Sequence, residues 1–164
     1  MREEEQYYPL PQPEEVTIRE KEDAMGAYLM MFASIGAGLP LPIINLIAAV
    51  IYYYINKSNS RFVRFHSTQS LLSQIPTSLL NAVAVFWTFR ILFTGARDFN
   101  ETYIGFIIMV FIANLLYFIF SIIATIRARK GRFFYFVFFG KISYEKVYRI
   151  SEIKTEPVFN KPPM

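Results

Sequence analysis

Between Tyr103 and Ile126 the chain runs for 24 residues without one charged side chain. A helix of that length extends about 36 Å, enough to cross a hydrocarbon core of about 30 Å. A second long apolar segment, Gln69 to Phe93, carries only Arg90, near its end. A soluble domain of 164 residues has little room to hide both segments, because small domains bury a modest share of their chain. These two segments therefore point to a membrane, and the 54% hydrophobic composition agrees.

A third apolar stretch, Ala24 to Asn56, is broken at residues 36–42 by the sequence GAGLPLP. Pro40 and Pro42 interrupt a helix, and Gly36 and Gly38 loosen the turn before them. The pieces on either side are about 22–24 Å long as helices, slightly short of a full crossing. They read as two short spans or as one re-entrant hairpin, with two spans the favoured expectation. The fold class expected is thus an all-α integral membrane protein, a four-helix transmembrane bundle. Its helices are expected at about 24–38, 41–56, 67–94 and 101–127, with an interfacial aromatic segment at 133–142. Residues 1–23, acidic and bearing Pro9, Pro11 and Pro13, are expected to be a flexible cytoplasmic tail. Residues 143–164 are expected to form a polar C-terminal tail.

Charge is distributed unevenly. Residues 1–23 hold three basic groups and eight acids, a net of −5, so the remainder of the chain carries +9 of the total +4. Lys57, Arg61 and Arg64 fall between the second and third apolar pieces, and Arg127, Arg129, Lys130 and Arg132 close the last one. The connection at 94–102 has one cation, Arg97. Cationic loops stay on the cytoplasmic side, so both termini are expected there, in a multi-pass protein of the cytoplasmic (inner) membrane. These seven cations are expected to meet lipid headgroups. FFYFVFF at 133–139, flanked by Arg132 and Lys141, reads as an aromatic belt at headgroup depth.

Cysteine is absent and His66 is the only histidine, which removes thiolate sites and multi-histidine cages. No nucleophile elbow, phosphate loop or zinc-protease motif is present. Neither an enzymatic activity, a cofactor, a metal nor a nucleic-acid partner is expected. What the spans do carry is a polar stripe. His66, Ser70, Ser73, Gln74, Thr77, Asn81 and Thr88 fall within about 100° of arc on one helix, opposite Leu72, Leu79, Val83, Phe86 and Phe93. Asn114, Tyr117, Ser121 and Thr125 form a narrower stripe on the last span. Polar groups facing lipid are costly, so these stripes must meet other helices or line a path for water. Pro76, inside the first stripe, frees the carbonyl of Leu72 and bends that helix.

The order of these elements, IGAGLPLPIINLIAAVIYYYIN, then RFVRFHSTQSLL, then SIIATIRARKGRFFYFVFFGKI, resembles a bacterial family of small polytopic membrane proteins. That family is related to the Tic-twenty-like channel subunits of the chloroplast inner-envelope import machinery. The resemblance covers roughly residues 24–142, and it implies a four-helix membrane domain with both termini cytoplasmic or stromal. It also implies a role in protein transport. The function expected on this basis is a non-enzymatic accessory subunit of an inner-membrane translocation or assembly complex, docking on membrane-protein partners through the two stripes. The alternative is a small homo-oligomeric channel or carrier lined by the stripe of the third helix.

Overall fold

The computed structural model describes residues 6–33, 42–94 and 100–150, and among these every regular element is helical. Five α-helices follow in order: α1 (Ile18–Leu29), extended by a 3-10 turn (Met30–Phe32); α2 (Pro42–Ile55); α3 (Arg61–Thr94); α4 (Glu101–Arg129); and α5 (Phe139–Tyr148). Of the residues expected to break the first apolar stretch, Pro42 opens α2, while Gly36, Gly38 and Pro40 lie outside the described residues, as does Arg97.

Two helices, α3 and α4, are long and apolar enough to cross a membrane. Only 6% and 11% of their most apolar stretches is buried in the protein, whereas the core helix of a soluble domain would be mostly buried. Leu79, Phe86, Leu92 and Phe93 on α3 and Phe111 and Ile112 on α4 are all at least half exposed. Such a continuous apolar surface identifies a membrane-associated protein.

Several boundaries differ from expectation. α3 starts at Arg61 rather than Ser67, so the connection after α2 is short. Its first two turns hold because Phe62, Val63, Phe65 and His66 are buried against neighbours, and packing of one face carries more helical stability than propensity does. α1 starts at Ile18, within the stretch expected to be tail. Thr17 and Glu20 close a capping box there: Glu20 N–H donates to Thr17 Oγ1 at 3.2 Å, and Thr17 N–H donates to Glu20 Oε2 at 2.8 Å. Upstream, Val16 is buried in the core, and Tyr8 N–H donates to Tyr148 O at 2.9 Å, which ties residues 6–17 to the end of α5.

α4 ends in a Schellman turn. Gly131 adopts φ +70°, and Arg132 N–H reaches back to Arg127 O at 2.9 Å. A side chain at Gly131 would be strained by that φ and would also press on Pro13. The core cluster beside this turn joins Val16, Ala24, Tyr28, Phe62, Ala124, Ala128 and Phe136. Its three alanines lie on α1 and α4, where small side chains let two helices approach closely.

α1, α2 and α4 are arranged around α3. Asp23 lies near Asn59, while Ala27 meets Ser70, so α1 runs in the same direction as α3. Tyr52 Oη donates to Asp23 O at 2.8 Å, and Met31 and Phe32 share a cavity with Asn45, so α2 runs antiparallel to α1. α3 and α4 are antiparallel, joined by Asn81–Asn114 and Thr88–Tyr103. All the named cations of residues 57–64 and 127–132 therefore come to one end of the molecule.

Candidate functional site

The buried polar groups form a seam along α3. At its upper end, near the cationic rim, Gln69 makes three hydrogen bonds through one side chain. Its Nε2 donates to Tyr28 Oη at 2.8 Å and to the carbonyl of Phe134 at 2.9 Å, and its Oε1 accepts from Phe136 N–H at 3.2 Å. The two backbone contacts fix the amide orientation. Tyr28 Oη, already accepting from Gln69, lies 2.9 Å from His66 Nδ1 and forms a hydrogen bond with it. His66 Nε2 finds no hydrogen-bond partner and is enclosed by the rings of Phe62, Phe65 and Phe133. One turn on, Ser70 Oγ donates to Ala27 O at 2.7 Å.

Further along, a cavity of about 340 Å³ opens between the far end of α1, the start of α2 and the middle of α3 and α4. Gln74, Thr77, Asn81, Asn114 and Tyr117 all face it. The Gln74 carboxamide and the hydroxyls of Tyr117 and Ser121 sit close together, buried, and none closes a well-formed hydrogen bond. Below them Asn81 and Asn114 pair reciprocally, each amide donating to the other's oxygen at 2.9 and 2.8 Å. Thr88 Oγ1 lies 2.9 Å from Tyr103 Oη, and Trp87 packs beside Tyr103.

The members of the two stripes thus separate into three groups. His66, Ser70, Asn81, Thr88 and Asn114 bond across helices. Ser73, Thr77 and Thr125 bond carbonyls one turn back in their own helix, to Ser70, Ser73 and Ser121. Gln74 and Tyr117 line the cavity, with Ser121 buried beside Tyr117. Two residues central to the seam, Tyr28 and Gln69, were not among those expected. Gln69 lies outside the arc of the stripe, and no periodicity within a single helix links it to Tyr28 or to Phe134.

The cations form a separate feature. Lys57, Arg61, Arg127, Arg129, Lys130 and Arg132 are exposed and Arg64 half-buried. The Arg61 guanidinium lies 3.5 Å from the centre of the Tyr8 ring. Among the described residues no three His, Cys, Asp or Glu side chains come together to hold a metal ion.

This arrangement defines a small helical membrane-associated protein whose interior polar groups chiefly fasten helices to one another. Residues 20–142 match the MamF/MmsF family, described as the magnetosome magnetite crystal formation protein family. That match covers three-quarters of the chain, from the first turn of α1 into α5, and the chain belongs to this family. No curated protein and no solved structure matches it.

The family assignment corrects the expectation drawn from RFVRFH and RARKGR. The chain is not a member of the Tic-twenty-like group, and neither protein transport within a translocation or assembly complex nor the homo-oligomeric channel reading is supported. Those motifs encode the start of α3 and the end of α4, features that any bundle of this shape needs, so they carried fold without function.

Proposed function

We propose that this protein is an integral constituent of the magnetosome membrane and acts there in magnetite crystal formation. The observation that carries the reading is the family match over residues 20–142, which takes in nearly the whole helical body. α3 and α4 cross the membrane as an antiparallel hairpin, and the rim of cations at one end lies on the cytoplasmic side. α1 and α2 enter and leave from that same side. Met31, Phe32 and Asn45, at their inner ends, reach the level of Gln74 to Asn81 on α3. Both termini are then cytoplasmic.

The protein contributes without catalysing a reaction. Supporting this, eight of the eleven stripe residues are engaged in bonds that fasten helices together or cap carbonyls of their own helix. Its part in crystal formation is that of a membrane component presenting its surface to other components and to the growing mineral.

The test is twofold. The tagged chain should co-purify with magnetosome membranes, and cells lacking it should form magnetite crystals of altered size or number, restored by the wild-type copy. Absence from that membrane fraction, or unchanged crystals in the deletion, refutes the reading. Orientation is checked separately: a single cysteine at Gln12 in this cysteine-free chain should be labelled only from the cytoplasmic face.

A further inference from the structure

After the Schellman turn at Gly131 the chain does not leave the bundle. Phe133 packs on Phe62 and Phe65, and the carbonyl of Phe134 and the N–H of Phe136 are both held by Gln69. Gln69 lies eight residues into α3 from Arg61, about 12 Å along the helix axis. The segment then reverses. Gly140 N–H donates to Phe136 O at 2.9 Å, and a side chain at Gly140 would collide with Tyr135, so only glycine lets the two limbs come this close. α5 returns to the rim, where Val147 and Tyr148 pack on Phe65 and Ile150 N–H meets Gln6 O.

The result is a short hairpin with both limbs rooted at the cationic end and its bend pointing down the bundle. The bend is apolar and uncovered: Val137 is 79% exposed, Phe138 75% and Ile142 50%. Beside it stand exposed cations, Arg132 before the first limb and Lys141 on the second, whose side chain is 82% exposed.

We propose that residues 133–142 are a lipid-inserted hairpin. Val137, Phe138 and Ile142 lie among the acyl chains of one leaflet, while Arg132 and Lys141 meet its anionic headgroups. Three observations select lipid as the occupant. The limb is held at Gln69, about 12 Å from Arg61 toward the apolar length of α3, so a membrane that covers α3 reaches the bend. Its flanking cations, Arg132 and Lys141 (the latter 3.8 Å from Glu145 and largely exposed), match an anionic surface. Three apolar side chains are too few for a stable protein interface, which needs on the order of 1,000 Å². Gln69 is the positioning residue, since its side chain holds the backbone of the descending limb at both Phe134 and Phe136.

This inference rests on the membrane-spanning reading above but not on any role in mineral formation, and it is tested without magnetite. Trp87 is the only tryptophan, so Trp87→Phe gives a silent background in which Val137→Trp reports on the bend alone. The full chain is reconstituted in vesicles of phosphatidylcholine and phosphatidylglycerol containing brominated lipid. Blue-shifted emission, quenched more by bromine near the headgroup end of the chain than near its terminus, is the expected result, and Phe138→Trp should agree. Quenching by aqueous iodide with little effect of bromine would place the bend in water and overturn the proposal. Protection from both quenchers would place it against protein, and would overturn it equally.

Discussion

Two glutamines, five residues apart on α3, should respond to substitution in opposite ways. Gln69→Ala removes three hydrogen bonds and leaves the buried Phe136 N–H and the part-buried Phe134 C=O without that partner. Each such group costs about 1–3 kcal/mol when stranded. Tyr28 Oη keeps His66 Nδ1 and adds little. The sum is about 2–6 kcal/mol, and the lower half is the better estimate because a membrane-embedded unfolded state also finds partners for freed groups. Gln74 is equally buried but closes no well-formed bond, so Gln74→Met removes a buried carboxamide without breaking a well-formed hydrogen bond. It should fall within about 1 kcal/mol of wild type. The assay is reversible unfolding in mixed detergent micelles, followed by circular dichroism. Tyr28→Phe closes the test. Because Tyr28 and Gln69 share a bond, the double variant should lose less than the sum of the singles, by about 0.5–1 kcal/mol. A Gln69→Ala loss below about 1 kcal/mol, or a Gln74→Met loss equal to it, would refute the view that the seam is held by the Gln69 clamp.

Replacing one member of the Asn81–Asn114 pair by leucine strands the other amide, at about 1–2 kcal/mol in the same assay, whereas Asn81→Leu/Asn114→Leu should recover much of that loss. Equal losses in single and double variants would show that the pair does not act as a unit. Glu20 provides a pH dependence: the hydrogen bond from Ser60, with those from Thr17, holds its carboxyl below the usual carboxylate range against a smaller opposing effect of burial. Its folded-state pKa is depressed, so its stabilisation is present above the unfolded-state value and fades as pH falls through the folded one. The stability difference between wild type and Glu20→Gln should therefore be positive at neutral pH and vanish in acid, and a difference independent of pH would count against the capping role.

The long helices were legible because hydrocarbon imposes a length: 24 uncharged residues leave few alternatives. Helix ends were less so. RFVRFH at the start of α3 looks like a polar loop when its arginines are weighed alone, yet Phe62, Val63, Phe65 and His66 are all buried there, with rings packed on Tyr28 and Phe133. Those partners are distant in sequence, and only tertiary packing decides the boundary. The same holds for α1. Charged residues at 19–23 read as tail, but the Thr17–Glu20 capping box starts a helix that continues into the apolar Ala24 and Tyr28. A capping pattern, T-x-x-E, was present at that point and is the signal that would have found the start.

Of the seam, a helical wheel recovers the residues that share one face of α3, and it places Asn81 and Asn114 on facing stripes. It cannot recover Gln69, whose partners come from α1 and from an irregular segment with no period at all. This difference bears on function as well. Bonds such as Asn81–Asn114 or Gln69–Phe136 would serve any four-helix assembly, which is why motifs surrounding them pointed to an import channel when the chain belongs to a crystal-formation family. Variants in the seam should then alter stability and crystal formation together, through the amount of folded protein. Surface variants that leave unfolding unchanged but alter crystals would locate the determinants proper to this family. Val137 and Phe138, whose exposed side chains make none of the bonds of the seam, are the first positions at which the two effects can be separated.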